Sequence, residues 1–190
     1  MKLLYFLFLF CLLLFSGCKD EVCPPFPDDQ LVWLPTLEVG NVVVYSNGEE
    51  LLEFTVESFE KDKGGTNISK CACDNYATIK MRCGEFLLIN QVFYIECSNL
   101  ILMYIEHELY ESYTCSFDYD YNSQEYVIYS NITIQEIEKI EIAGASYNDV
   151  LQIDRKESTD YKKSIYYAKS YGIIRFETAD GEVWDLVKFK

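Results

Sequence analysis

From Cys71 to Tyr113 the odd-numbered positions carry a long apolar series, a period of two that a β-strand turns into one face. Ala77, Ile79 and Met81 come first, then Leu87, Ile89, Phe93 and Ile95, then Ile101, Met103, Ile105 and Leu109. The even positions of the first segment are Asp74, Tyr76, Thr78, Lys80 and Arg82, which suit water. Gly84 and Ser98-Asn99 supply turn residues between the segments. The pattern predicts a three-stranded antiparallel meander over Cys71–Arg82, Glu85–Glu96 and Leu100–Tyr113.

The rest of the chain agrees. All four prolines lie before residue 36, and the runs beyond are rich in Val, Ile, Tyr, Phe and Thr. No segment sustains a 3.6-residue apolar period with caps, and no repeat recurs. Asn47-Gly48 predicts a tight type I′ hairpin joining Asn41–Ser46 to Glu49–Glu60, with Val43 opposite Leu52 and with Phe54 and Val56 continuing that face. Lys61 to Lys70 reads as a loop. Asp180-Gly181 turns Tyr171–Glu177 into Glu182–Phe189, where Trp184 and Leu186 share one face and Val183 and Val187 the other. The expected fold is all-β, an antiparallel meander forming an open barrel or sandwich over residues 31–190.

Apart from Cys11 and Cys18 near the N-terminus, the cysteines are Cys23, Cys71, Cys73, Cys83, Cys97 and Cys115. An even number outside the cytoplasm favours disulfides. A turn centred on Gly84 sets Cys71 opposite Cys97, and one centred on Asn99 sets Cys83 opposite Cys115. Cys23 and Cys73 remain to pin the N-terminal segment. Each bridge would contribute about 2–4 kcal/mol. Zinc is the weaker reading of Cys71-x-Cys73, because its sites want paired thiolates or histidines and the chain has one His.

The N-terminus carries an address. Lys2 precedes an apolar run from Leu3 to Phe15, and small Ser16 and Gly17 lead into Cys18, the order of a secretory signal. The run is shorter than the roughly 20 residues a spanning helix needs. Leu14-Phe15-Ser16-Gly17-Cys18 resembles the lipobox of bacterial lipoproteins, which implies cleavage after residue 17 and a diacylglycerol on Cys18. Lys19-Asp20-Glu21 resembles the export signal of Bacteroidota-type surface lipoproteins, implying display outside the outer membrane, with its periplasmic face as the alternative. Pro24, Pro25 and Pro27 make residues 18–30 a stiff tether.

Charge and motifs bound the function. A net charge of −15 repels phosphate backbones, so nucleic acid is not an expected partner, and the acyl chains must hold the membrane. Phe117-Asp118-Tyr119-Asp120-Tyr121 is the nearest approach to a calcium loop and lacks its pattern. His107 is the one histidine, expected on the core-facing side of its strand opposite Gln91. No nucleophile elbow, His-Glu-x-x-His or phosphate loop occurs. No catalytic residue, cofactor or metal is expected. Tyr104, Tyr110, Tyr119, Tyr121, Tyr126, Tyr161, Tyr166, Tyr167 and Tyr171 suit either sheet surfaces or stacking on sugars.

The ending, Ser164 to Phe176 followed by Asp180-Gly181-Glu182-Val183-Trp184, is similar to the terminal strands of uncharacterised Bacteroidota-type lipoproteins, as are Tyr147-Asn148-Asp149-Val150-Leu151, Leu34-Pro35, Val39-Gly40 and Tyr45. Some of these form open half-barrels that carry lipid. The expected function is therefore a non-enzymatic surface lipoprotein, either a structural or interaction module, or a binder of a glycan or an apolar ligand. Cys18→Ser should abolish labelling by a fatty-acid analogue, and labelling that persists would exclude acylation at Cys18.

Overall fold

The computed structural model describes residues 32–63, 75–84, 87–96, 100–107, 113–120, 125–128, 132–155, 164–177 and 181–190. Twelve strands fill them: β1 Val42–Ser46, β2 Leu51–Lys63, β3 Asn75–Cys83, β4 Leu87–Glu96, β5 Leu100–His107, β6 Tyr113–Asp120, β7 Glu125–Ile128, β8 Ile132–Ile142, β9 Ala145–Arg155, β10 Ser164–Ala168, β11 Gly172–Glu177 and β12 Val183–Phe189. The fold is all-β, one curled antiparallel sheet forming an open half-barrel. Its order, β7-β6-β5-β4-β3-β2-β1-β12-β11-β10-β9-β8, is a meander whose first and last strands pair in the middle. The two ends of the sheet, β7 and β8, are neighbours in sequence.

Alternating burial builds the interior. Val43 and Tyr45 on β1, Phe54 and Val56 on β2, and Ala77, Ile79 and Met81 on β3 are all buried, as the odd-even pattern of β3 requires. On β12, Trp184 and Leu186 are buried while Val183 and Val187 are exposed. Aromatic rings carry the core across the join between the chain's ends. Tyr45 meets Phe54 edge-on at 5.7 Å and Phe176 at 5.0 Å, and Phe176 stacks on Trp184 at 6.5 Å. The Tyr45 hydroxyl donates to the Ile173 carbonyl at 2.8 Å, tying β1 to β11 across β12. Residues 32–37 close one flank: Ser170 N donates to Val32 O, Thr36 N to Ser170 O, and the buried Tyr167 hydroxyl to Trp33 O.

The registers depart from the tightest-turn reading in a consistent way. Val43 pairs with Phe54, not Leu52, because the loop spans residues 47–50 instead of two residues. Asn47 Oδ1 accepts from the Glu49 and Glu50 amides at 3.0 and 2.7 Å, and Ser46 Oγ bridges Gly48 N and Glu50 O, so side chains hold the longer loop. β2 also continues to Lys63, where Lys61 was expected to open a loop, because β3 supplies pairing partners as far as Asn75. In β3–β4, Ala77 pairs with Phe93, and in β4–β5, His107 pairs with Ile89 instead of Gln91. Each slip is two residues, which leaves every side chain on its face and is therefore invisible to period-two reasoning.

The slip and the strand order overturn one bridge. Cys83 on β3 pairs with Leu87, and Cys115 on β6 pairs with Ile105. Two strands intervene, a separation of about 14 Å at the usual strand spacing. A disulfide needs Cα atoms within about 7 Å. Cys83 carries a free thiol, half-buried, and burial pushes its pKa up. Cys18, Cys23, Cys71, Cys73 and Cys97 lie outside the described residues, as do the signal segment 1–17 and the tether 18–30.

Alkylation of the denatured, unreduced protein should tag Cys83, and recovery of a Cys83–Cys115 peptide pair would contradict the strand order. Burial, chiefly, holds the phenols of Tyr45 and Tyr167 far above the ordinary value of about 10. Raised folded-state values stabilise fully below that ordinary value, and the contribution is lost as pH rises further. Tyrosinate absorbance should therefore show these two phenols ionising only with unfolding, above about pH 10. Early ionisation of either would show that its phenol is solvated.

Candidate functional site

β8 interrupts its own core pattern. Ile132, Ile134, Ile140 and Ile142 occupy even positions, but Glu136 and Glu138 between them are exposed, and Ile137 is the residue there that packs against the core. In the register Ile134 lies opposite Ile153, Glu136 opposite Leu151, Ile137 opposite the buried Val150 and Ile140 opposite Tyr147. Two carboxylates among apolar neighbours cannot be packed without partners. The sheet leaves room for water there, in a cleft of about 370 Å³.

Five parts of the chain build the cleft. β8 gives Glu136, Ile137 and Glu138, and β9 gives Asp149, Val150 and Leu151. Tyr126 comes from β7, Lys169 from the β10–β11 turn, and Trp33 from the N-terminal flank. Val150 and Leu151 form an apolar floor, buried beneath exposed Glu136, Glu138 and Asp149. The Tyr126 hydroxyl donates to Glu136 Oε1 at 2.8 Å, linking the two ends of the sheet and fixing that carboxylate. Lys169 Nζ lies 4.9 Å from the centre of the Trp33 ring, which itself stacks on Tyr167 at 6.4 Å.

Asp149 has φ +52°, the left-handed region that Asp tolerates better than most residues. That conformation falls mid-strand at the cleft wall. Chemically, the lining offers three carboxylate acceptors, one ammonium donor and a short apolar floor. It suits a polar or cationic group better than a hydrocarbon chain.

Few residues singled out in the sequence meet here. Tyr126 does. Tyr171 is 46% exposed and meets Tyr147 edge-on at 5.1 Å, and burial raises the Tyr147 pKa. Tyr166 is half-buried, with the Arg175 guanidinium 5.6 Å from its ring centre, and Arg175 holds Asp185 through two hydrogen bonds of 2.5 and 2.8 Å. His107 lies on β5 between Ile89 of β4 and Tyr113 of β6. Asp118 and Asp120 lie on β6, opposite Leu102 and Leu100. Tyr110, Tyr121 and Tyr161 fall outside the described residues. Among the described residues no group of three His, Cys, Asp or Glu side chains is placed to hold a metal ion. The interrupted isoleucine pattern of β8 was the available signal for the cleft.

Asp149→Val should destabilise the fold by about 1–2 kcal/mol in urea titration, because a β-branched residue resists positive φ. Asp149→Gly should stay within about 0.5 kcal/mol of the parent. Equal stability of the two variants would show that the left-handed conformation is not held. No family model, curated protein or solved structure matches this chain.

Proposed function

We propose a non-enzymatic surface lipoprotein, anchored through an acylated Cys18 at the outer membrane, that acts as an interaction module through the cleft beside β8. One observation carries the reading: a cleft of about 370 Å³ among the described residues is rimmed by carboxylates and a lysine. Among the described residues, the core side chains of β1–β3 and β9–β12 are buried, Tyr45, Phe54, Ile79, Leu151, Tyr167 and Phe176 among them. A carrier of an apolar ligand needs its space lined by apolar groups. A lipid tail in this cleft would strip water from Glu136, Glu138 and Asp149 without replacing their hydrogen bonds. A ligand with donors or positive charge satisfies them.

Within the cleft, Glu136 is committed to the Tyr126 hydroxyl. A glycan is the second reading, favoured by the exposed Tyr171, an aromatic surface of the kind that stacks on sugars. Stacking on Trp33 is disfavoured, since that ring is 5% exposed and Lys169 lies over it.

Native mass spectrometry of the purified full chain should find no lipid beyond the acyl groups on Cys18, and a copurifying lipid would overturn the polar-cleft reading in favour of a carrier. A ligand recovered from a screen of glycans and charged peptides should bind at least tenfold more weakly to Glu138→Ala. That exposed substitution should shift stability by less than about 0.5 kcal/mol.

A further inference from the structure

β8 is an end of the sheet: it pairs with β9, and β7 forms the opposite end. The two ends differ in length, eleven residues for β8 against four for β7. Tyr126 and Glu136 join them by a side-chain hydrogen bond, not by a ladder. From Ile137 to Ile142 the strand runs on beyond that contact. An edge of this kind presents backbone donors and acceptors at strand spacing, the template for another strand.

Charge selects what can use the template. Glu136, Glu138 and Glu141 are exposed along β8, and Lys139 is the one cation on the strand. Asp149 adds a further carboxylate at the cleft and Lys169 a further cation, in a chain of net charge −15. A second copy pairing edge to edge would bring acidic strands together, which is destabilising for like charges directly opposite. The carboxylates that discourage self-pairing attract a basic segment.

We propose that β8 is a docking edge for an extended, lysine- or arginine-rich segment of a partner protein, which adds as a strand with alternate side chains reaching into the cleft. This rests on the interaction-module reading and specifies its partner and mode. Backbone hydrogen bonds provide the affinity in such strand addition, and alternate side-chain positions provide the selectivity. Alternate residues of the added strand share the face of Glu136 and Glu138, so a basic residue at every second position fits best.

The test uses the full-length protein and three ten-residue probes: an alternating Lys-Val peptide, the same peptide with every second amide N-methylated, and a Glu-Val counterpart. The Lys-Val peptide should bind, slow amide hydrogen exchange within Ile132–Ile142, and weaken as salt rises. The N-methylated copy and the Glu138→Lys/Glu141→Lys variant should each lose at least tenfold in affinity, and the Glu-Val peptide should not bind. Equal binding of the N-methylated copy at the cleft would overturn strand addition while leaving the interaction site in place. No binding of the Lys-Val peptide, or a dimer of the protein alone paired through β8, would overturn the proposal; the screen with Glu138→Ala decides the cleft reading separately.

Discussion

The pairing of β1 with β12 joins the two halves of the sheet, and Tyr45 is the residue that secures it. Strands β1 to β7 fold as one run of hairpins and β8 to β12 as another. A single ladder, Val43 to Ser46 against Asp185 to Phe189, connects them, and it contains a bulge beside Tyr45. That bulge leaves Tyr45 buried between Phe54 and Phe176 with its hydroxyl on the Ile173 carbonyl. The ring thus spans β2, β1 and β11 at once. Such a join requires loop closure over nearly the whole chain, which is entropically unfavourable and must be offset by dense apolar burial. The cluster of Tyr45, Phe54, Phe176 and Trp184 lies at this point.

Joining the chain's ends in the middle of the sheet leaves the middle of the chain at its edges. β7 and β8, adjacent in sequence, become the two margins of the curl, and the cleft forms where they approach. Its composition follows from that position. Residues facing a closed interior must be apolar, whereas at the margin water enters and Glu136 and Glu138 are tolerated beside the apolar floor. Trp33 and Lys169 complete the wall because the N-terminal flank is pinned to the β10–β11 turn through Val32, Thr36 and Ser170. The same architecture thus explains both the packed core and the polar cleft.

Much of the strand content was legible in the sequence. Alternation put Ala77, Ile79 and Met81 on the buried face, and Asp180-Gly181 correctly separated β11 from β12. Registers were not legible, because a slip of two residues preserves the face of every side chain. Loop length decides between such registers, and the loop at residues 47–50 depends on where Asn47 and Ser46 place their hydrogen bonds. The expected Cys83–Cys115 bridge failed for a further reason: constant-sum arithmetic ignores the strands lying between β3 and β6.

The sequence by itself determined that this chain is a β-sheet protein and which faces of strands such as β3 and β12 are buried. These follow from period-two patterning and composition, both local properties that each segment carries alone. Tertiary structure decided that β1 meets β12, that β8 is a margin instead of an interior strand, and that Trp33, Tyr126, Glu138 and Lys169 share one cleft. Those residues are up to more than a hundred positions apart, and no local pattern records which strands will be neighbours. Only closure of the sheet through the Tyr45 core brings them together.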